Sequence, residues 1–278
     1  MITERSSNMK NILVFNDISG LGNCSLGANL PVFAKLGHYA IPIVTGTFSC
    51  QTGFVNFTFS RNDNLSKCAA DVLSHRVPDA VYVGFCVDSG ILSEVCNVLD
   101  SLYDSFVFVD PILGDNGNLY SIFDGAHVEA MKRAVRNAHC ISPNLTEACL
   151  LADVDYKQLI SRKNQPAFLS TCGETFGNFL EITGAQSAVI TGVECGDSIG
   201  NIVLSDGKVR YVTNERVPVN YSGTGDVFSS VLLGELLRGK STYEATLLAA
   251  NFVCKAAQNT ECPDRRFGVE FCKVLNLL

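Results

Sequence analysis

Residues 222–230 read Ser-Gly-Thr-Gly-Asp-Val-Phe-Ser-Ser, and their types and spacing suit the handling of an anion beside a base. Glycine lets the backbone approach a ligand closely and turn its N–H groups toward it. The start of a helix adds unpaired N–H donors and a partial positive charge. An apolar stretch of helical length, Val227 to Leu237, follows directly. Gly223, Thr224 and Gly225 can therefore form an anion pocket suited to phosphate. Asp226 then stands where a carboxylate could take a proton from a group held against that pocket. Taken alone, Gly-Thr-Gly-Asp reads equally well as a glycine-rich turn and a helix with a favourable acid in its first turn. The rest of the chain favours chemistry.

Short β-branched or aromatic runs alternate with longer helical patterns. Strands are expected at Asn11–Phe15, Ala40–Thr45, Ala80–Phe85, Phe106–Asp110, Cys140–Ser142, Ser187–Thr191, Ile199–Leu204 and Lys208–Thr213. Helices are expected near Ser25–Leu36, Leu65–His75, Ile91–Tyr103, Gly125–Asn137, Thr146–Ala152, Ser170–Thr183, Asp226–Arg238 and Thr242–Asn259, with a closing helix near Arg266–Leu277. The nearly all-apolar strands at 11–15 and 106–110 suit a parallel sheet covered on both faces. Ser205-Asp206-Gly207 reads as a hairpin turn, so the sheet should end in an antiparallel edge. The expected fold class is α/β, a mostly parallel sheet with helices on both faces. No repeat or linker divides the chain, so residues 1–278 read as one domain behind a polar tail, Met1 to Lys10.

In such sheets ligands gather beyond the carboxyl ends of the strands. Polar residues are expected to follow five of them: Asn16 to Gly22, Gly46 to Gly53, Asp110 to Asp115, Ser142 to Glu147, and Thr191-Gly192. Among these, Asp110, Asp115 and Glu147 are three acids facing the same side. Magnesium takes oxygen ligands, often one or two carboxylates with phosphates and water. A bridging cation would also reconcile these acids with a bound phosphate. Each acid could instead cap a turn or helix; Asp110 argues most strongly for a ligand, because a charge directly after Phe-Val-Phe-Val needs a partner.

Composition narrows the partners. The 278 residues carry a net charge of −7 with no basic run, which leaves nucleic acid without an electrostatic footprint. No stretch of eighteen apolar residues occurs, and the first ten residues lack the apolar core of a signal peptide, so a cytoplasmic protein without membrane contact is expected. Twelve scattered cysteines without a Cys-x-x-Cys pair, several inside apolar runs, read as small hydrophobes. Gly20-Leu21-Gly22 fails the dinucleotide fingerprint, and a Walker A motif and a Gly-x-Ser-x-Gly elbow are both absent.

Ser222-Gly223-Thr224-Gly225-Asp226 before an apolar helix resembles the C-terminal signature of the ribokinase superfamily. Asp110 to Asp115, Ser142 to Ala148, and Phe48-Ser49-Cys50-Gln51-Thr52-Gly53 make the chain most similar to the pyridoxal kinase family, over nearly its whole length. The resemblance implies a ribokinase-like fold without a separate lid domain. It implies ATP-dependent phosphorylation of the 5′-hydroxymethyl group of a B6 vitamer, with Asp226 as base and Gly223, Thr224 and Gly225 stabilising the moving phosphoryl group. Asp110, Asp115 and Glu147 would organise Mg2+ and a monovalent cation, K+. Ser142, Asn144 and Thr191 would line the ATP phosphates, and Ser19 and Thr52 would hold the pyridine ring. Gly114 to Tyr120 would be a short flap over the nucleotide, and the protein a homodimer. The chain departs from the family at Asp17-Ile18-Ser19, where glutamine often precedes the serine, and at Gln51, where histidine is common. The competing readings are a hydroxymethylpyrimidine kinase of thiamine salvage and a non-catalytic vitamer- or nucleotide-binding protein.

Overall fold

The computed structural model describes residues 9–136, 138–165 and 167–278, so most of the polar tail lies outside the described residues. Its strands are β1 (Asn11–Ser19), β2 (Tyr39–Phe48), β3 (Phe59–Arg61), β4 (Ala80–Val83), β5 (Phe106–Val109), β6 (Gly114–Asp115), β7 (Asn118–Leu119), β8 (Cys140–Ile141), β9 (Ala188–Cys195), β10 (Ser198–Ser205) and β11 (Lys208–Glu215). The helices are α1 (Ser25–Lys35), α2 (Leu65–His75), α3 (Ser89–Leu99), α4 (Gly125–Val135), α5 (Leu145–Ala152), α6 (Tyr156–Ile160), α7 (Phe168–Thr175), α8 (Phe179–Thr183), α9 (Thr224–Leu237) and α10 (Thr242–Gln258).

Side chains alternate across β1 because successive residues of a strand point to opposite faces. Ile12 and Val14 pack with α1, α9 and α10 on one face. Leu13 and Phe15 pack with α2 to α5 on the other. From Ile12 to Phe15 the strand is thus fully buried and apolar on both sides, as a sheet between two helical layers requires. Among the described residues nine strands form this sheet, in the order β11-β10-β9-β8-β5-β4-β1-β2-β3. From β2 to β9 every pairing is parallel. The expected hairpin is present as β10–β11, turning at Asp206 and Gly207 with positive φ at both. The opposite edge also closes antiparallel, through the short strand β3, which the sequence pattern did not suggest.

The strands run further than their apolar cores. β1 continues through Ser19, so Asn16 to Ser19 belong to the strand rather than following it, and β2 continues through Phe48. A bulge lets them do so: Asn16 pairs with Val44 and Ile18 with Thr47. β9 likewise passes Thr191-Gly192, where two of its residues oppose Asn201 alone, before reaching Cys195. Polar residues that satisfy the ladder extend a strand that hydropathy alone would end.

Two expected helices differ. Ser170–Thr183 is interrupted around Gly177 into α7 and α8. Arg266–Leu277 forms two 3-10 segments, Arg265–Phe267 and Phe271–Leu277, separated by Gly268 at φ 86°. Glycine in that conformation cannot continue a right-handed helix. Asn137, the expected end of α4, lies outside the described residues.

Candidate active site

The Gly-Thr-Gly segment is the first turn of α9 itself. Gly223 is the N-cap at φ 76° and, having no side chain, makes no capping bond. The leading N–H groups of the turn are therefore left to a ligand or water. A Cβ at Gly223 would meet the carbonyl oxygen of Asn23, so only glycine lets the turn approach β1's loop. Thr224 does not point its hydroxyl proton into the turn; it donates to the carbonyl of Tyr221 at 3.2 Å.

Asp226 sits at the third position of this turn, half-buried. Burial raises its pKa above the usual carboxylate range, while the Ser25 N–H and the Asn16 amide pull it back. A carboxylate held in this way takes up a proton more readily than an exposed one. A second carboxyl, Asp17, is nearby and almost fully buried. Burial pushes it up to about 7; the Ser25 and Ser19 hydroxyls lower it and the charge of Asp226 raises it. Ser19 donates to Asp17 at 3.0 Å. Ser25, at φ 53°, thus spans the two acids, with its backbone on one and its hydroxyl on the other.

Asp110 directly follows β5 with 5% exposure and accepts from the Tyr82 hydroxyl at 3.1 Å. Burial raises it to about 7, with the charge of Asp226 adding to the shift and the Ser229, Tyr82 and Ser142 hydroxyls opposing it. Glu147 is spoken for differently. It completes a capping box with Asn144, taking the Asn144 N–H at 2.7 Å, and its other oxygen takes the Leu113 N–H at 3.1 Å. Burial, then the charge of Asp110, holds its pKa well above normal. Asp115 is exposed and accepts from the backbone and side chain of Asn116.

The segment Gly114 to Tyr120 forms the hairpin β6–β7, turning at Asn116 (φ 52°) and Gly117 (φ 78°). The Asn144 amide donates to the Gly114 carbonyl at 2.8 Å and the Gly117 N–H donates to Thr146 at 2.9 Å. Asn144 therefore serves the helix and the hairpin with its side chain. Thr191 is bridged to Asn144 and donates its N–H to the Pro143 carbonyl at 2.8 Å.

These pieces surround one cavity of about 690 Å³, ample for a small ligand with a nucleotide. Gly223, Thr224, Gly225, Asp226, Asp110, Asp115, Glu147, Ser142, Asn144, Thr191 and Tyr120 all line it. Ser19 and Thr52 are not among the lining residues, although Gly53 is. Among the described residues no three His, Cys, Asp or Glu side chains form a ready metal cage. Asp110 remains a fitting magnesium contact: it is a buried acid with no cationic side chain bonded to it among the described residues, and phosphate oxygens and water would supply the other ligands. With both its oxygens engaged, Glu147 would act there through water.

Sequence reasoning missed the wall contributed by the C-terminal turn. Asp264, Arg265 and Arg266 line the cavity. Gln51 donates to the Arg266 carbonyl at 2.9 Å, Phe267 packs edge-on against Phe54, and Ser222 exchanges backbone bonds with Arg265 and Val269. It assigned no role to Ser25, Asn29, Ser229 and Ser230, and named Asn16 only within the polar stretch expected after β1.

A family model described as phosphomethylpyrimidine kinase matches residues 22–269. The chain is 23% identical over 243 residues to the hydroxymethylpyrimidine/phosphomethylpyrimidine kinase of Bacillus subtilis, covering 86% of each. A Bacteroides thetaiotaomicron structure with pyridoxal, provisionally assigned as a phosphomethylpyrimidine kinase, is 30% identical with a TM-score of 0.85, covering 97% of this chain and 95% of the other. The pyridoxal kinase of Lactobacillus plantarum is 28% identical with a TM-score of 0.83, covering 96% of each. The chain belongs to the phosphomethylpyrimidine kinase family and has the ribokinase-like fold of these kinases.

Proposed function

We propose that the protein transfers the γ-phosphoryl group of ATP to the 5′-hydroxymethyl group of pyridoxal, pyridoxine or pyridoxamine. The observation that carries this reading is Asp226, a carboxylate of raised pKa in the uncapped first turn of α9, inside the cavity. Asp226 takes the hydroxyl proton as the oxygen attacks phosphorus. The N–H groups of Gly223, Thr224 and Gly225 stabilise charge on the moving phosphoryl group, which needs alignment and electrostatic help more than covalent chemistry. Asp110 would hold Mg2+ directly, with Asp115 and Glu147 organising its waters and K+; the metal would neutralise phosphate charge. Ser142, Asn144 and Thr191 line the cavity and would flank the phosphates, with the β6–β7 hairpin and Tyr120 shielding them from water. Ser19 and Thr52, although outside the cavity lining, would orient the ring as the family resemblance implies. The same reading takes the protein to be a cytoplasmic homodimer in B6 salvage.

The pyridoxal-containing relative supports a B6 vitamer, as does the Phe-Ser-Cys-Gln-Thr-Gly stretch. The Bacillus subtilis relative supports the second reading, a hydroxymethylpyrimidine kinase. Incubating the protein with Mg-ATP and each of the three vitamers or hydroxymethylpyrimidine, with product read by mass, separates them. A phosphorylated vitamer is expected. Phosphorylation of the pyrimidine alone would move the enzyme to thiamine salvage, and tight vitamer binding without ATP consumption would leave a binding protein.

A further inference from the structure

A buried hydrogen-bond circuit begins and ends on Asp226. The Asn16 amide nitrogen donates to Asp226 Oδ1 at 3.4 Å and to Asn29 Oδ1 at 2.7 Å. Asn29 donates to the Ser230 hydroxyl at 2.8 Å. Ser230 in turn donates to the Asp226 carbonyl at 2.7 Å. Asn16, Asn29 and Ser230 are each fully buried. The 3.4 Å contact is long, as catalytic hydrogen bonds often are before substrate binds.

The orientation of Asn16 is fixed by its other end. Its Oδ1 accepts the Phe85 N–H at 2.8 Å and the Asp17 N–H at 3.0 Å. With two donors on the oxygen, the nitrogen must face Asp226. Gly84 makes room for this, since a Cβ there would lie 2.8 Å from the Asn16 amide. One side chain thus divides its work: the oxygen ties β1 to the end of β4, and the nitrogen addresses the proposed base.

We propose that Asn16, Asn29 and Ser230 are positioning residues that aim the Asp226 carboxylate at the acceptor hydroxyl and favour its ionised form. None of them lines the cavity, so they act through Asp226 rather than on substrate. The inference rests on Asp226 being the base of an alcohol kinase. Burying three polar side chains is costly unless each is paired. A circuit that runs from the Asp226 carboxylate back to the Asp226 carbonyl gives that arrangement a purpose.

Asn16→Asp is the diagnostic variant. It keeps an acceptor for the Phe85 and Asp17 N–H groups and replaces the donor to Asp226 with a carboxyl. Turnover should fall about 10- to 100-fold through misorientation of the base. The KM for ATP should stay within about twofold, because the phosphate cradle is untouched. The acid limb of kcat should move to higher pH, since a neighbouring negative charge disfavours ionised Asp226. The other titratable groups facing Asp226 are Asp17 on β1, Cys24 ahead of α1, Tyr82 on β4, Asp110 after β5 and Tyr120 of the hairpin. All remain in the variant, so the difference from wild type reports the new carboxyl. Ser230→Ala, a small truncation, should lower kcat about three- to tenfold with the same unchanged KM for ATP. If Asn16→Asp does not fold, Ser230→Ala decides.

The comparison uses whichever alcohol the wild-type protein phosphorylates. Folded variants with wild-type kcat would overturn the proposal while leaving the kinase reading intact. Wild-type turnover of a different alcohol would revise only the vitamer assignment, and the same ratios would still judge the circuit. A wild-type protein that phosphorylates no alcohol overturns both.

Discussion

Asp17 carries a cost that the fold accepts. Its pKa rises from 3.8 to about 7 in the folded chain, chiefly through burial. Between those values the native state holds a proton that the unfolded chain has lost. Stability from this group is therefore present at low pH and is lost as pH rises from about 4 through about 7. Replacing Asp17 by Asn removes the titration and leaves an uncharged polar group in its place. The variant should melt higher than wild type at pH 8, by roughly 3–6 °C, with a smaller gain at pH 5. His127 works in the opposite sense, its pKa lowered by burial from 6.5 to about 4. The readout is therefore the difference between variant and wild type by thermal denaturation, not the slope of either. An equal gain at both pH values would show that Asp17 is not the titrating group. At this scale the sequence made Asp226 and Asp110 legible, since an acid after glycines or after Phe-Val-Phe-Val stands out. Asp17 was read as part of a departure from the family pattern, and its burial depends on β1 continuing past its apolar run. Pairing decides that, and hydropathy does not show it.

The elements that meet at the site are the start of α9, the ends of β1 and β5, the β6–β7 hairpin and the C-terminal turn. The α9 turn depends on Gly223, whose φ of 76° and contact with the Asn23 carbonyl leave no space for a side chain. Gly223→Ala should displace the N–H groups of the turn. ATP affinity should weaken about tenfold or more, with a loss of thermal stability. Unchanged ATP binding by titration calorimetry would remove this turn from the phosphate site. The C-terminal turn lines the cavity, with Phe267 packed on Phe54 and Arg266 over the same ring at 5.0 Å, and on the proposed reading this is the acceptor side. Phe267→Ala should raise the KM for the acceptor while leaving that for ATP unchanged; equal effects on both would place the turn elsewhere. Of these elements α9 and β5 could be read from periodicity. The hairpin carried an Asn-Gly pair, a strong turn signal, yet its strands are only two residues each and invisible to any window. The C-terminal segment has a helical pattern, but Gly268 breaks it and tertiary contacts with Asn23 and Ser222 set its path.

The whole molecule supplies what no element can. The sheet order places β1 between β4 and β2, and the strand ends that carry Asp17, Asp110 and Asn144 converge beyond their carboxyl edge. Ligands gather at such reversals of strand order. With a net charge of −7 the surface does not draw a nucleotide in. On the proposed reading attraction is local, from the backbone N–H groups of the α9 turn and a cation that Asp110 would hold. The layered architecture and parallel order followed from alternating apolar runs, and the second antiparallel edge did not, because β3 is three exposed residues long. Whether Asp226 is the base of an alcohol kinase is decided by Asp226→Asn. Single-turnover phosphate transfer from Mg-ATP to a B6 vitamer should be compared with wild type, alongside ATP affinity and melting temperature. Fold and ATP binding should be retained, with transfer slowed about 10²- to 10⁴-fold. Transfer at the wild-type rate in the folded variant would take the base away from Asp226.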